Sequence, residues 1–311
     1  MSFLERALEL AERGRGTTHP NPVVGAVIVR DGQAVGEGWH ERAGGPHAEI
    51  VALEQAGDRA RGATLYVTLA PCSRRGRTPP CVDAVLAAGV VRVVVGADDP
   101  TQDGLARLRE RGVEVELVDS FAARSQNEAW RTWATLGRPF VTYKVAVSLD
   151  GRVTVAGSRW VSGEESRRLV HELRARSDAV AVGMGTFRAD RPLLTARDVG
   201  APRQPRRLVF GSGRNDPLPE GFELVSGPLE AALGGLAAGG VQSLLLEGGP
   251  TLATAFLAAG LVDKLLVFVA PVLSGAGPRL LGELAEPVDL HRLAVRLLGD
   301  DVVLRAYVRE P

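Results

Sequence analysis

Apolar residues along this chain fall into short β-branched runs separated by stretches of helical period, and that alternation predicts an α/β fold. Ser2-Phe3-Leu4-Glu5 reads as a capping box opening a helix to about residue 13, closed by Gly14. Residues 23–29 form the first predicted strand, Asp31-Gly32 a hairpin turn and 34–39 its partner strand. A helix over 48–56 ends at Gly57, and a strand follows over 64–69. Residues 81–88, entered through two prolines and closed by Gly89, read as a helix, and 90–96 as a strand. A helix near 105–111 and a strand near 113–117 complete a layer predicted to hold a mostly parallel sheet.

Residues 121–136 carry one continuous helical pattern, stopped by Gly137-Arg138-Pro139. The chain has 311 residues, comfortable for two domains, and the pattern divides it into 1–138 and 139–311. Past the boundary, 140–148 opens a new strand system, with 179–183, 207–210, 243–246 and 264–269 as its clearest strands. Gly and Pro crowd residues 198–235, which read as loop-rich.

Lys+Arg 37 and Asp+Glu 37 cancel to a net charge of +0, which disfavours a duplex nucleic-acid partner. Two cysteines make no disulfide framework. No basic segment followed by an apolar run opens the chain, and no stretch approaches a membrane span, so a cytoplasmic protein without a membrane partner is expected.

The chemistry concentrates in His47-Ala48-Glu49 and two Pro-Cys pairs, Pro71-Cys72 and Pro80-Cys81. One imidazole and two thiolates are a donor set for catalytic Zn²⁺, with a fourth position left for water. Glu49, two residues beyond His47, is placed to move protons without binding metal. H-x-E followed by paired cysteines marks zinc nucleobase deaminases, though the gap between the cysteines is longer here. The bland alternative is a metal-free core of two cysteines and a histidine; a structural zinc normally takes four protein ligands. In the second half, Gly183-Met184-Gly185 and Gly211-Ser212-Gly213 both fail as Rossmann fingerprints. Glu247-Gly248-Gly249-Pro250-Thr251-Leu252 follows an apolar strand and opens a helix, so it reads either as a pyrophosphate site or as an ordinary strand-to-helix turn.

Thr17 to Gly25, Gly45-Pro46-His47-Ala48-Glu49, and Pro71 to Cys81 with its Gly-Arg-Thr-Pro-Pro insertion resemble the bifunctional deaminase–reductases of riboflavin biosynthesis. Lys144 to Arg152, Ser158 to Val161 and the Glu-Gly-Gly-Pro-Thr-Leu run resemble the reductase half of that family. The resemblance implies a cytidine-deaminase-like three-layer domain followed by a dihydrofolate-reductase-like domain, with Zn²⁺ and NADPH as cofactors. It also implies a phosphoribosyl pyrimidine as substrate and pairing into a homodimer through the sheet. Zinc would sit on His47, Cys72 and Cys81, with Glu49 as proton shuttle. Asn21, His40 and Arg77 would contact the base or ribose phosphate. Lys144 and Glu247 would surround the reacting carbon, and Ser158, Arg174, Leu194 and Arg197 would contact substrate, the arginines suiting phosphate. Ala146, Trp160, Thr186, Asp190, Ser212, Gly249, Pro250, Thr251, Leu252, Ala253, Thr254 and Ala255 would contact the cofactor, with Arg214 near its 2′-phosphate.

Several positions depart from the family pattern. Ala70 stands where Glu is usual, Arg74 where His is usual, Arg191 where a second Asp is common, and Asp98-Asp99-Pro100-Thr101 is a shortened match. Ala70 and Arg74 keep open a reductase carrying an inactive zinc-binding domain. A tRNA or nucleobase deaminase with an unrelated C-terminal domain is the other alternative.

Overall fold

The computed structural model describes all residues except 76–78, 202 and 213–216. The chain divides into two compact units, Met1–Leu136 with Pro311, and Gly137–Glu310.

In the first unit α1 (Phe3–Glu12) carries the capping box read from the sequence: Ser2 Oγ accepts from Glu5 N–H, and the Glu5 carboxylate accepts from Ser2 N–H. There follow β1 (Gly25–Arg30), β2 (Gln33–Trp39), α2 (Ala48–Ala56), β3 (Thr64–Leu69), α3 (Cys81–Ala87), β4 (Arg92–Ala97), α4 (Gly104–Glu110), β5 (Glu114–Leu117), α5 (Phe121–Gln126) and α6 (Glu128–Leu136). The sheet order is β2-β1-β3-β4-β5. Alternate residues of β1 face opposite ways. Ala26 and Ile28 join Ala48, Ala52 and Val82 in one cluster, whereas Val27 and Val29 join Ala7 and Leu10 in another. The sheet therefore lies between α1 on one face and α2 and α3 on the other, a three-layer arrangement.

Two expectations need correction here. The sheet is mixed rather than mostly parallel, because β1 runs antiparallel to both β2 and β3, and only β3–β4–β5 are parallel. The hairpin turn imposes this: Asp31 and Gly32 both take positive φ (50° and 76°), which reverses the chain in two residues. The predicted single helix over 121–136 is broken at Asn127, whose amide donates to Val23 O and accepts from Val23 N–H, each at 2.9 Å. That exchange ties the chain there to the strand entry and ends α5.

The second unit contains β6 (Phe140–Ser148), α7 (Glu164–Arg176), β7 (Ala179–Gly183), α8 (Met184–Asp190), β8 (Arg206–Phe210), β9 (Phe222–Val225), α9 (Leu229–Ala238), β10 (Ser243–Leu246), α10 (Pro250–Ala258), β11 (Lys264–Ala270), β12 (His291–Leu298) and β13 (Asp301–Tyr307). Their order is β12-β13-β11-β6-β10-β7-β8-β9, parallel from β11 to β9 and antiparallel at β12 and β13. Val141, Tyr143 and Leu244 pack beneath Leu233 and Phe256, from α9 and α10, while Val180, Val182 and Leu245 pack with Met184 and Phe187 of α8. Within 198–235 the described residues include β8, β9 and the start of α9, so strands and a helix interrupt the Gly- and Pro-rich loops. Parallel pairing to β7 and β8 recruits these short segments.

One buried ion pair ties the entry of this unit to its far strands. Arg138 Nη1 and Nη2 each donate to Asp263 at 2.7 Å, and Val141 N–H donates to the same carboxylate at 2.8 Å. Asp263 is 1% exposed, so truncating it leaves the buried Arg138 cation without its counter-ion and the Val141 amide without its acceptor. Asp263→Ala should therefore cost roughly 3–5 kcal/mol of stability, read as a lower denaturant midpoint. A change below about 1 kcal/mol would contradict this account.

A second device is sensitive to acid. The Asp150 carboxylate accepts from Ser148 Oγ (2.6 Å), Ser274 N–H (2.8 Å) and Gly275 N–H (2.9 Å), which together hold it down at about 2. A carboxylate lowered in the folded state stabilises above its unfolded value of about 4, and that contribution is lost as pH falls towards 2. Asp150→Asn should be less stable than the parent at pH 7, with the difference closing below pH about 4. A pH-independent difference in unfolding midpoint would refute this.

Candidate active sites

Helix α2 begins at His47, its N-cap residue, and Glu49 lies in its first turn. Ala48, Ala52 and Ala56 lie against β2, whose glycines permit backbone contact. A Cβ at Gly36 would stand 2.2 Å from Ala52 O, and one at Gly38 2.5 Å from Ala48 O. This close seating brings His47 and Glu49 to the ends of the strands, where β3 delivers Cys72 and the start of α3 delivers Cys81. His47 Nδ1 is 3.6 Å from Cys72 Sγ and 3.2 Å from Cys81 Sγ, and the three donor atoms all lie within 4.8 Å of one another. Tetrahedral zinc, with bonds of about 2.0–2.1 Å to nitrogen and about 2.3 Å to sulfur, separates such donors by about 3.6 Å. Imidazole and thiolate are its preferred ligands, so the residues fit the ion.

The local electrostatics suit the same chemistry. Cys81 N–H donates to Cys72 Sγ at 3.2 Å. The Cys81 thiol and then His47 hold Cys72 down at about 4, while the hydrogen bond to Cys72 and burial push Cys81 up. The metal-free pair therefore shares a proton, which a metal would release on binding. Glu49 is 3% exposed, and burial pushes its carboxyl up to about 7.

His47, Glu49 and Cys72 line a cavity of about 510 Å³ together with Asn21, His40, Arg74 and Arg75, while Cys81 is fully buried. His40 is buried; its Nδ1 donates to Pro46 O at 2.9 Å, which leaves Nε2 to accept from Asn21 Nδ2 at 3.2 Å. Burial lowers its pKa, so the ring is a neutral strut for Asn21 as much as a wall of the cavity. Of the departures from the family pattern, Ala70 is buried at the cavity wall and Arg74 is exposed at its mouth. Asp99 and Thr101 of the shortened family match also line it, as do Gln102 and Trp130, which had no sequence signal of their own. Arg77 and Arg214 lie outside the described residues.

In the second unit, parallel pairing of β10 with β6 sets Glu247, one residue past β10, near Lys144. Lys144 Nζ stands 3.7 Å from Glu247 Oε2, and Arg174 of α7 donates from Nε and Nη2 to Glu247 at 2.6 and 2.9 Å. Burial pushes the Glu247 carboxyl up, but the Lys144 charge and Arg174 outweigh it, so its pKa is lowered. Burial lowers Lys144, opposed by Glu247 and reinforced by Arg174. The Arg174 fork is thus engaged by Glu247 and by Thr195 O (3.2 Å).

The remaining positions separate into available and unavailable side chains. Leu194 (1% exposed) and Ala253 (0%) have their side chains packed in core clusters, which leaves their backbone as the part that could meet a ligand. Helix periodicity decides Ala253: the Phe256 face of α10 is the buried one, while Thr251 and Ala255 are exposed. Ala146 is half-buried on β6, opposite Phe268. Trp160 is 54% exposed, with the Arg159 and Arg167 guanidinium groups 5.1 and 5.5 Å from its ring. Ser158 Oγ is bonded to Trp160 O, Arg197 is exposed and bonded to Thr195, and Asp190 and Ser212 are exposed. Gly249 caps α10 with Pro250 at its first turn, and a Cβ there would stand 2.7 Å from Thr186 Oγ1. Thr254 Oγ1 donates to Pro250 O, and Leu252 approaches Gly248. The glycine-lined helix start is a cradle in which backbone N–H groups are available to phosphate, so these residues fit a dinucleotide.

The fold and these two sites define a two-domain enzyme class, a zinc-deaminase domain followed by a reductase domain. The family model described as "cytidine and deoxycytidylate deaminase zinc-binding region" matches residues 1–97, and that described as "RibD C-terminal domain" matches 139–304. The chain is 38% identical to riboflavin biosynthesis protein RibD of Aquifex aeolicus and 40% identical to that of Escherichia coli, in each case over 97% of both chains. Acinetobacter baumannii RibD superposes with a TM-score of 0.85 at 36% identity, covering 98% of this chain and 97% of that one. The Thermotoga maritima diaminohydroxyphosphoribosylaminopyrimidine deaminase/5-amino-6-(5-phosphoribosylamino)uracil reductase superposes with 0.84 at 32% identity, with the same coverage. The chain belongs to the RibD family of riboflavin biosynthesis proteins.

Proposed function

We propose that this chain is a bifunctional enzyme of riboflavin biosynthesis that deaminates 2,5-diamino-6-(5-phosphoribosylamino)pyrimidin-4-one and then reduces the ribosyl side chain to ribityl with NADPH. The observation that carries the first step is the convergence of His47, Cys72 and Cys81, with His47, Cys72 and the buried Glu49 lining one cavity. Those three residues would hold zinc, which when bound supplies the Lewis acidity that lets water ionise near neutrality. Glu49 takes one proton from the attacking water and gives it to the ring nitrogen, then takes the proton of the new hydroxyl and gives it to the leaving amine. The C–NH₂ bond breaks, a C=O bond forms and ammonia departs. Asn21, held by His40, orients the base, and Arg77 meets the ribose phosphate.

In the second unit the furanose opens, the C1′–O4′ electron pair passes to O4′, and Lys144 supplies the proton that O4′ takes. NADPH supplies the reducing equivalent at C1′. Glu247, kept ionised by its two cations, accepts hydrogen bonds from ribityl hydroxyls. Ser158 and Arg197 meet substrate, and the Gly249 to Leu252 turn holds the pyrophosphate. Trp160, Thr186, Asp190 and Ser212 complete the cofactor side.

Zinc content, ammonia release from the diaminopyrimidinone and NADPH oxidation on the deaminated product, assayed on one sample, test both halves. Reduction without ammonia release from a zinc-loaded sample would favour an inactive first domain instead. Activity on a tRNA anticodon would favour the nucleobase-deaminase alternative.

We also propose a cytoplasmic homodimer paired through the outer strand. Leu293, Val295 and Leu297 on edge strand β12 are 61–75% exposed, an apolar surface that sheet edges rarely leave bare. Among the described residues no helix is long and apolar enough to cross a membrane. A monomer by light scattering at micromolar concentration would reject the pairing.

A further inference from the structure

We propose that the segment opening α4 is a clamp that fixes Cys72 for metal binding, with Gln102, Asp103 and Arg107 as positioning residues. This rests on the zinc-deaminase reading above. Ser73, next to Cys72 in the chain, is buried, and each of its polar groups meets this one segment. Its N–H donates to Gln102 Oε1 at 2.9 Å, its hydroxyl donates to the Asp103 carboxylate, and its carbonyl accepts from the Arg107 guanidinium. Arg74 N–H donates to the same Gln102 oxygen at 3.1 Å. On the other side of Cys72, a Cβ at Gly104 would stand 1.9 Å from Pro71 O, so the first residue of α4 sits directly on the backbone before the ligand.

Gln102 is itself held. Its Nε2 donates to Asp99 Oδ2 at 3.0 Å, and the other oxygen of the buried Asp99 accepts from Thr101 N–H at 2.9 Å and Thr101 Oγ1 at 2.6 Å. Cys72 is thus bracketed between two helices. The start of α3 holds its sulfur and carbonyl, through Cys81 N–H and Val82 N–H, each at 3.2 Å. The start of α4 holds Pro71, Ser73 and Arg74. A metal ligand must be kept within about 0.5 Å of its productive place by neighbours that are themselves fixed, and this network does that for the one ligand carried on a loop.

The test uses the full chain, stripped of metal and titrated with zinc under chelator competition, then with cobalt(II) under visible absorption. In Gln102→Ala the zinc dissociation constant should rise roughly 10- to 100-fold, and the cobalt–thiolate bands should shift in position and intensity. Asp103→Ala should move both readouts the same way. Asp103→Asn, which keeps an acceptor for the Ser73 hydroxyl, should restore the parent spectrum. If Gln102→Ala does not fold by circular dichroism, the Asp103 pair decides. Parent-like affinity and spectrum in the alanine variants overturn the clamp alone. A parent chain that binds neither metal overturns the zinc reading and the clamp with it.

Discussion

Replacing Glu49 by glutamine is expected to slow ammonia release from the diaminopyrimidinone by roughly 10²- to 10⁴-fold while zinc content stays at the parent level. Glu49 is not one of the three donors that converge on the metal position, so the substitution leaves the ligand set intact. Glutamine keeps the volume of the side chain in a place that is 3% exposed, so packing around α2 changes little. What it removes is a carboxyl able to take a proton from water and return it. No other carboxylate shares this position: among the other cavity-lining residues the acid is Asp99, whose two oxygens are engaged by Thr101 and Gln102. Reduction of separately supplied deaminated product should proceed at the parent rate, because Lys144 and Glu247 belong to the other unit. Ammonia release within a few-fold of the parent, from a zinc-loaded variant, would remove Glu49 from the reaction.

The residues that converge on the metal position were legible because their signal is local. Each stands beside a proline or at a helix start, where spacing along the chain already limits where the side chain goes. Element types were legible for a similar reason: α2 and β3 follow from period and from Gly57. Legibility ended where a contact distant in sequence decides. Asn127 breaks a helix because of Val23, 104 residues away. The packing of the Leu194 and Ala253 side chains is likewise set by the core clusters they join. Arg174 looks like a free helix cation until Glu247, 73 residues later, occupies its fork. The Ser73 network is the extreme case, since Gln102, Asp103 and Arg107 are ordinary surface residue types whose task appears only when α4 meets the loop.

Lys144→Met should lower the rate of ribosyl reduction by roughly 10²- to 10³-fold at saturating substrate, with ammonia release unchanged. Methionine fills the space of the stem but cannot give the proton that O4′ needs on ring opening. The pH profile separates this role from a merely structural one. Burial lowers Lys144, so it gives up its proton below the ordinary lysine value of 10.5. The protonated form is the working acid, so reduction by the parent should fall as pH rises through that lowered value, giving an alkaline limb below 10.5. Lys144→Met should lose the limb along with the rate. Glu247→Gln gives the complementary result: it removes the carboxylate that opposes the lowering and leaves Lys144 facing Arg174 alone, so the limb should move further down in pH. Loss of rate in Lys144→Met with an unmoved alkaline limb would assign the proton to another group and leave the lysine as a partner of Glu247 only.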